Sequence, residues 1–277
     1  MTLKHIKTIV TDMDGTALTS TKELHPITLE AFAEWQAQGG NLIMATGRLD
    51  LGARLYASQL NIKLPVISCN GALIRDWETG KVLYKNAVPM SIMEQTVAIA
   101  KAHDVPYHIY TTERLLSPEL YGTMTRYVKM NEQAKTEDEK TPYTITPDIL
   151  GALHEDEAML KMLVIIEDNE LLNKVRAEFL KLDVETVISG PNLLDVMVGN
   201  STKGVAVEWL AEHGYLELET TLTCGDNEND ISMLQSTPQS LAMCNAKDVV
   251  KEAATFISEV DSNEGGVGRF VKQHLLG

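Results

Sequence analysis

From Ile6 to Ser68 the chain alternates short β-branched runs with helical patterns, and this alternation limits the fold more than any other feature. Ile6 to Thr11 reads as a strand, Pro26 to Gln38 as a helix and Asn41 to Ala45 as a second strand. Arg48 to Leu60 reads as a helix and Pro65 to Ser68 as a third strand. Pro26 suits a first helical turn and Gly39-Gly40 a stop. The order βαβαβ predicts a parallel sheet with helices on both faces, whose chemistry sits past the C-terminal ends of its strands. Ala72–Arg75 and Lys81–Tyr84 flank a turn at Asp76–Gly80 and read as a hairpin.

The middle of the chain differs. Helical patterns near Ser91–His103 and Asn169–Lys181 mix with strand-like runs at Val105–Tyr110, Leu160–Ile166 and Val184–Ser189. The charged stretch Glu132–Lys140 reads as a solvated loop or helix end. From Thr202 the alternation returns: a helix to about His213, a strand at Thr220–Cys224, a helix at Asn227–Leu234, a strand at Gln239–Met243 and a short helix near Ala246. At about 150 residues per domain, 277 residues suggest two. The pattern predicts an α/β core from residues 1–85 and 190–277, interrupted by an inserted α+β domain at 86–189.

Charge narrows the partners. With 24 basic and 39 acidic residues the net charge is −15, so a broad nucleic-acid surface is not expected. A cleft that handles phosphate then needs its own cation, from a metal or from placed Lys or Arg. Cys69, Cys224 and Cys244 are far apart with no CxxC, which argues against a zinc site and a disulfide framework. The first apolar run is too short for a signal segment and meets acid at Asp12, and no stretch approaches the ~18 apolar residues of a membrane span. A soluble, cytoplasmic protein with no membrane and no obligate protein partner is expected.

Asp12-Met13-Asp14-Gly15-Thr16 follows the first strand. Strand periodicity puts Asp12 and Asp14 on one side, where two close carboxylates require a cation or a shared proton. The plainer alternative is a strand-end turn with Asp and Gly as turn formers. Gly225-Asp226-Asn227-Glu228-Asn229-Asp230 follows another strand. Helix capping explains one of its acids but not why a second acidic cluster ends a second core strand. Two such loops at one sheet edge can build an all-oxygen Mg²⁺ site. Thr46-Gly47-Arg48 reads as a strand end opening a helix, a natural phosphate seat or merely common punctuation. Lys203, which taken alone is a surface lysine, precedes the return to the core.

The ordered set DxDGT, TGR, K, GDxxND resembles the haloacid dehalogenase-like (HAD) phosphohydrolases over nearly the whole chain. The insert after the third strand, preceded by Asn70-Gly71-Ala72, and the tail Asp261–Val267 are similar to the Cof-type branch with its class IIB (C2B) α+β cap. The resemblance implies a Rossmann-like HAD core with that cap. It implies a Mg²⁺-dependent phosphatase acting on a small phosphorylated metabolite, a sugar phosphate or phosphorylated cofactor, through an aspartyl phosphate. Asp12 would be nucleophile, and Asp14 general acid and then base. Mg²⁺ would sit among Asp12, the Asp14 carbonyl and Asp226, with Asp230 behind it or bound through water. Lys203 would pair with phosphoryl group and nucleophile. Thr46, the N–H groups of Met13 and Gly47, and Asn229 would hold phosphate oxygens. Asp14 separates a phosphatase from a transport ATPase, which carries Thr there. A phosphomutase or phosphotransferase, or a non-catalytic sensor of a phosphorylated ligand, stays open as an alternative. Substrate choice would lie in the cap, where His108, Tyr110, Arg114 and Lys161 are candidates.

Overall fold

In a computed structural model of the chain, which describes residues 3–134, 136–190 and 192–276, the first strand β1 (Thr8–Thr11) is buried at all four positions. A strand central in a sheet covered on both faces requires this. Helix α1 (Pro26–Ala37) opens with Pro26 at its first turn, and the His25 Nδ1 accepts the Ile27 N–H. Strand β2 (Asn41–Met44) follows, then α2 (Arg54–Gln59), β3 (Val66–Ser68), β4 (Leu73–Arg75) and β5 (Val82–Lys85). Two expectations need correction here. No helix opens at Arg48: Leu49 is extended and a 3₁₀ turn, Asp50–Ala53, precedes α2. Strand β3 joins β2 only through a parallel bridge between Ala45 and Ile67 and forms its own three-stranded sheet with β4 and β5. It is three residues long because Cys69 and Asn70 turn left-handed immediately after it.

The next elements are α3 (Met90–Ala102), β6 (Tyr107–Thr111), β7 (Leu115–Ser117), α4 (Thr123–Gln133), β8 (Tyr143–Ile145), β9 (Met159–Ile165), α5 (Asn169–Phe179), β10 (Glu185–Gly190) and β11 (Leu193–Met197). The chain then gives α6 (Lys203–Glu212), β12 (Thr221–Gly225), α7 (Ile231–Gln235), β13 (Gln239–Ala242), α8 (Asp248–Glu252), β14 (Phe256–Ile257) and α9 (Gly266–Val271).

The chain divides into two compact units: Met1–Gly47, Tyr56–Leu83 and Thr202–Gly277 form one, Arg48–Leu55 and Tyr84–Ser201 the other. The first holds a parallel five-stranded sheet in the order β14-β13-β12-β1-β2. The second holds a six-stranded sheet in the order β10-β11-β9-β6-β7-β8, antiparallel except that β7 runs parallel to β8. Its core sets Met93, Val97 and Ala100 of α3 and Val175 and Phe179 of α5 against Ile109, Met162, Val164 and Val196 of the strands. Residues 190 and 192–201, placed in the core by sequence, fall in this second unit, because β11 pairs between β9 and β10 and completes that sheet. Among the described residues no helix is long and apolar enough to cross a membrane.

Candidate active site

Three loops of the first unit meet beyond the C-terminal ends of β1, β2 and β12. The parallel register sets Thr11 beside Met44 on one side and Cys224 on the other. The Asp12 N–H continues this ladder to the Cys224 carbonyl at 2.9 Å and the Ala45 N–H to the Thr11 carbonyl at 2.9 Å. Asp12 and Asp226, far apart in sequence, therefore emerge side by side. Gly15, at φ +92°, turns the chain tightly enough that a Cβ there would collide with the Asp226 carboxylate. In the same turn Thr16 Oγ1 donates to Asp226 Oδ1 at 2.8 Å, fixing that carboxylate.

Lys203 enters as the first residue of α6, whose N-cap Thr202 accepts the Val205 N–H. Its side chain is fully buried, and Nζ donates to Asp12 Oδ1 at 2.5 Å and Asp230 Oδ1 at 2.6 Å. The other Asp230 oxygen accepts the N–H groups of Asp226 (2.9 Å) and Asn227 (3.0 Å). Asp230 thus spends both oxygens on the lysine and the loop, and it holds Asp226 where β12 ends.

Carboxylate oxygens of Asp12, Asp226 and Asp230 lie within 4.8 Å of one another. Three clustered acids stand against one buried ammonium, which bonds two of them, and the imbalance shows in their proton affinity. Burial pushes Asp12 well above the usual carboxylate range, reinforced by Asp230 and Asp226 and opposed by Lys203. Burial and Asp230 push Asp226 up to about 7. Burial also disfavours the Lys203 charge, but Asp12 and Asp230 outweigh it and hold the ammonium above its ordinary range. Such a set suits a hard divalent cation: oxygen donors only, with surplus negative charge. Because Asp230 is engaged by protein donors, Asp12 and Asp226 are the carboxylates placed to hold one.

The Asp14 side chain lies outside this cluster, with Oδ1 2.8 Å from Lys22 Nζ. Met13 is fully buried, and its carbonyl accepts the Leu18 N–H at 2.8 Å, closing the turn. Thr46 is buried, and its carbonyl accepts the Asn70 N–H at 3.1 Å. Asn229 Nδ2 donates to Asn70 Oδ1 at 3.0 Å, and that oxygen sits 2.7 Å from where a Cβ on Gly47 would be. The sequence-based set of Asp12, Asp14, Met13, Thr46, Gly47, Lys203, Asp226, Asn229 and Asp230 is thus gathered around these three loop ends. Asn70 and Thr16 carry roles the sequence did not assign. The Asn70-Gly71 step was the available signal for the first, since Asn tolerates the left-handed backbone seen there (φ +58°). The second lay inside the DxDGT motif.

In the second unit the four cap candidates have partners of their own. Lys161 is 2% exposed rather than solvated. Its Nζ bonds Asp195 Oδ1 at 2.9 Å and lies 4.5 Å from the centre of the Tyr110 ring. Arg114 grips Glu157 with Nε (3.0 Å) and Nη2 (2.8 Å). His108 shares a 2.9 Å bond with Ser117 Oγ, and burial lowers its proton affinity to about 4. Glu113, His154 and Glu157 also cluster, but Arg114 already neutralises Glu157, which makes that group a poor cation site.

A family model described as haloacid dehalogenase-like hydrolase matches residues 9–271. The chain is 26% identical over 272 residues to the pyridoxal phosphate phosphatase of Escherichia coli K12, covering 98% of this chain and 99% of that protein. It is also 26% identical over 292 residues to a 5-amino-6-(5-phospho-D-ribitylamino)uracil phosphatase of Bacillus subtilis 168, with 98% and 99% covered. Among solved structures, a HAD subclass IIB sugar phosphatase superposes with a TM-score of 0.78 at 24% identity, over 96% of this chain and 98% of that one. This last likeness concerns the fold.

Proposed function

Because the chain belongs to the haloacid dehalogenase-like hydrolases, we propose that it is a phosphatase that cleaves small phosphate monoesters through a phosphorylated Asp12. The observation that carries this reading is the buried Lys203 ammonium shared by Asp12, just past β1, and Asp230, in the turn that follows β12. It holds a carboxylate rigid and desolvated, as a nucleophile must be.

Asp12 attacks phosphorus in line with the ester oxygen, and the P–O bond to the alcohol breaks. Asp14 gives its proton to the departing alkoxide. It then accepts a proton from the water that attacks the acyl phosphate, which restores Asp12 and releases inorganic phosphate. Lys203 stabilises charge on the phosphoryl oxygens, aided by Thr46, Asn229 and the backbone N–H groups of Met13 and Gly47. Asp12, Asp226 and the Asp14 carbonyl would hold Mg²⁺, which when bound offsets the repulsion between an anionic nucleophile and an anionic ester. Asp230 and Thr16 position Lys203 and Asp226. Both curated relatives are named for phosphate esters borne on a compact organic group, so primary-alcohol esters of small ring-bearing metabolites are the substrate class we assign.

The test is phosphate release from a panel of such esters and from p-nitrophenyl phosphate, with Mg²⁺ and with chelator, by wild type and Asp12→Asn. Turnover that needs both Mg²⁺ and Asp12 is expected. Equal rates in the two proteins would reject the nucleophile, and silence across the panel would reject the phosphatase.

A further inference from the structure

We propose that Lys22 is the positioning residue of Asp14: its ammonium holds one carboxylate oxygen so that the other meets the leaving oxygen and then the attacking water. The inference rests on the role given to Asp14 above. It starts from the 2.8 Å contact between Lys22 Nζ and Asp14 Oδ1, with side chains 38% and 32% exposed. An ordinary surface pair of this kind is loose, but the backbone beneath this one is fixed. Lys22 has φ +65°, a left-handed conformation that a lysine adopts only where its surroundings hold it. Here the Lys22 N–H donates to the Thr19 carbonyl (3.0 Å), and the Thr19 N–H donates to the Glu23 carbonyl (2.9 Å). From below, the hydroxyl of the buried Tyr56 donates to the Lys22 carbonyl at 2.9 Å. The segment is stitched back to the motif by bridges joining Asp14 with Leu18 and Leu18 with Leu24. The turn therefore aims the lysine at Asp14.

The stereochemistry gives the contact a use. An ammonium on Oδ1 can donate whether or not the carboxyl carries a proton on Oδ2. The Oδ2–H is then presented to the alkoxide in the first half-reaction, and the Oδ2 lone pair to water in the second. Protons balance across the cycle without Lys22 gaining or losing one.

Leaving-group dependence separates this role from a structural one. The kcat/KM value reports steps up to phosphorylation of Asp12. A p-nitrophenolate departs without a proton, whereas an alkoxide needs one. The probes are p-nitrophenyl phosphate and pyridoxal 5′-phosphate, or whichever alkyl ester of the panel is fastest. General acid catalysis is worth about 10²–10⁴-fold. Lys22→Met should therefore lower the alkyl-to-aryl ratio of kcat/KM about tenfold or more. Lys22→Arg should restore it to within about threefold, and Tyr56→Phe should lower it by less than Lys22→Met does. Added to Asp14→Asn, Lys22→Met should change the ratio no further, as expected of residues acting as one unit. Equal loss on both substrates, or further loss of the ratio on the Asp14→Asn background, overturns the proposal. A wild type inactive on every ester refutes the phosphatase itself, whereas an active wild type with an unchanged ratio in Lys22→Met refutes only the part given to Lys22.

Discussion

Mg²⁺ binding should compete with protons in the neutral range. Asp226 is pushed up to about 7 by burial and by Asp230. A carboxyl raised above its unfolded value binds more protons folded than unfolded, so the metal-free protein loses stability as pH rises from about 4 to about 7. A cation binding Asp226 must displace that proton below pH 7 and need not do so above it. For one site titrating near 7, apparent affinity falls about tenfold between pH 8 and pH 6, or about 1.4 kcal/mol. Asp12 is also raised by burial and by its acidic neighbours, which adds to the loss of affinity at the acid end. The assay is a Mg²⁺ titration of metal-stripped protein at both pH values, followed by thermal shift. The midpoint concentration should rise at least about tenfold at pH 6. Asp226→Asn, whose amide oxygen can still accept the Thr16 bond, should bind weakly with a flatter pH profile. Identical midpoints at pH 6 and pH 8 in wild type would refute the reasoning, as would a variant with the wild-type slope.

Asp12→Asn should reduce phosphate release below about 10⁻³ of wild type. In metal-free buffer at pH 8 its unfolding midpoint should not fall below wild type, because burial already disfavours a charge at this position and an amide oxygen still accepts from Lys203. Lys203→Met leaves three carboxylates facing one another: expect loss of about 3 kcal/mol of metal-free stability by denaturant titration and about a 10²-fold drop in kcat/KM. Full recovery by Lys203→Arg would contradict its tight burial. Gly47→Ala puts a Cβ 2.7 Å from Asn70 Oδ1 and should break the Asn70–Asn229 bond, raising KM about tenfold with a smaller change in kcat. Unaltered steady-state kinetics would remove Asn229 from phosphate contact.

The parallel core was legible because its strands are short runs rich in β-branched and apolar residues and its helices carry stop signals, as at Gly39-Gly40. The middle was not, for local reasons. Strand β8 has its exposed Tyr143 and Ile145 at solvent and prolines close to both ends, so it lacks a buried-strand pattern. Helix α4 buries only Met124 and Tyr127 and otherwise reads as polar. Strand β11 carries Asp195 in an apolar run, and its pairing with Lys161 from β9 helps make that acid tolerable inside. No local window holds both partners. At the site, Asp12 and Asp226 stood out as acids just past strand ends, whereas Lys203 was marked only by its place in the ordered set of motifs. Asn70 did not, because its role depends on a left-handed backbone and on contact with Asn229.

Two kinds of unfavourable energy are concentrated around this site, and they answer differently to ligands. One is electrostatic: Asp12 and Asp226 are both held above the ordinary carboxylate range. The other is conformational: Cys69 and Lys22 are left-handed without being glycine, at about 1–3 kcal/mol each, and Asn70 shares that backbone at a smaller cost. A dication and a phosphate ester relieve the first kind, so ligand stabilisation should track pH and ionic strength. They do nothing for the second, which the buried strands beneath must bear whether the site is filled or empty. Strain of that sort keeps Asn70 against Asn229 and aims Lys22 at Asp14 before any substrate arrives. The loops then need little rearrangement when the ester binds, and the cost of ordering them is met during folding rather than in each turnover.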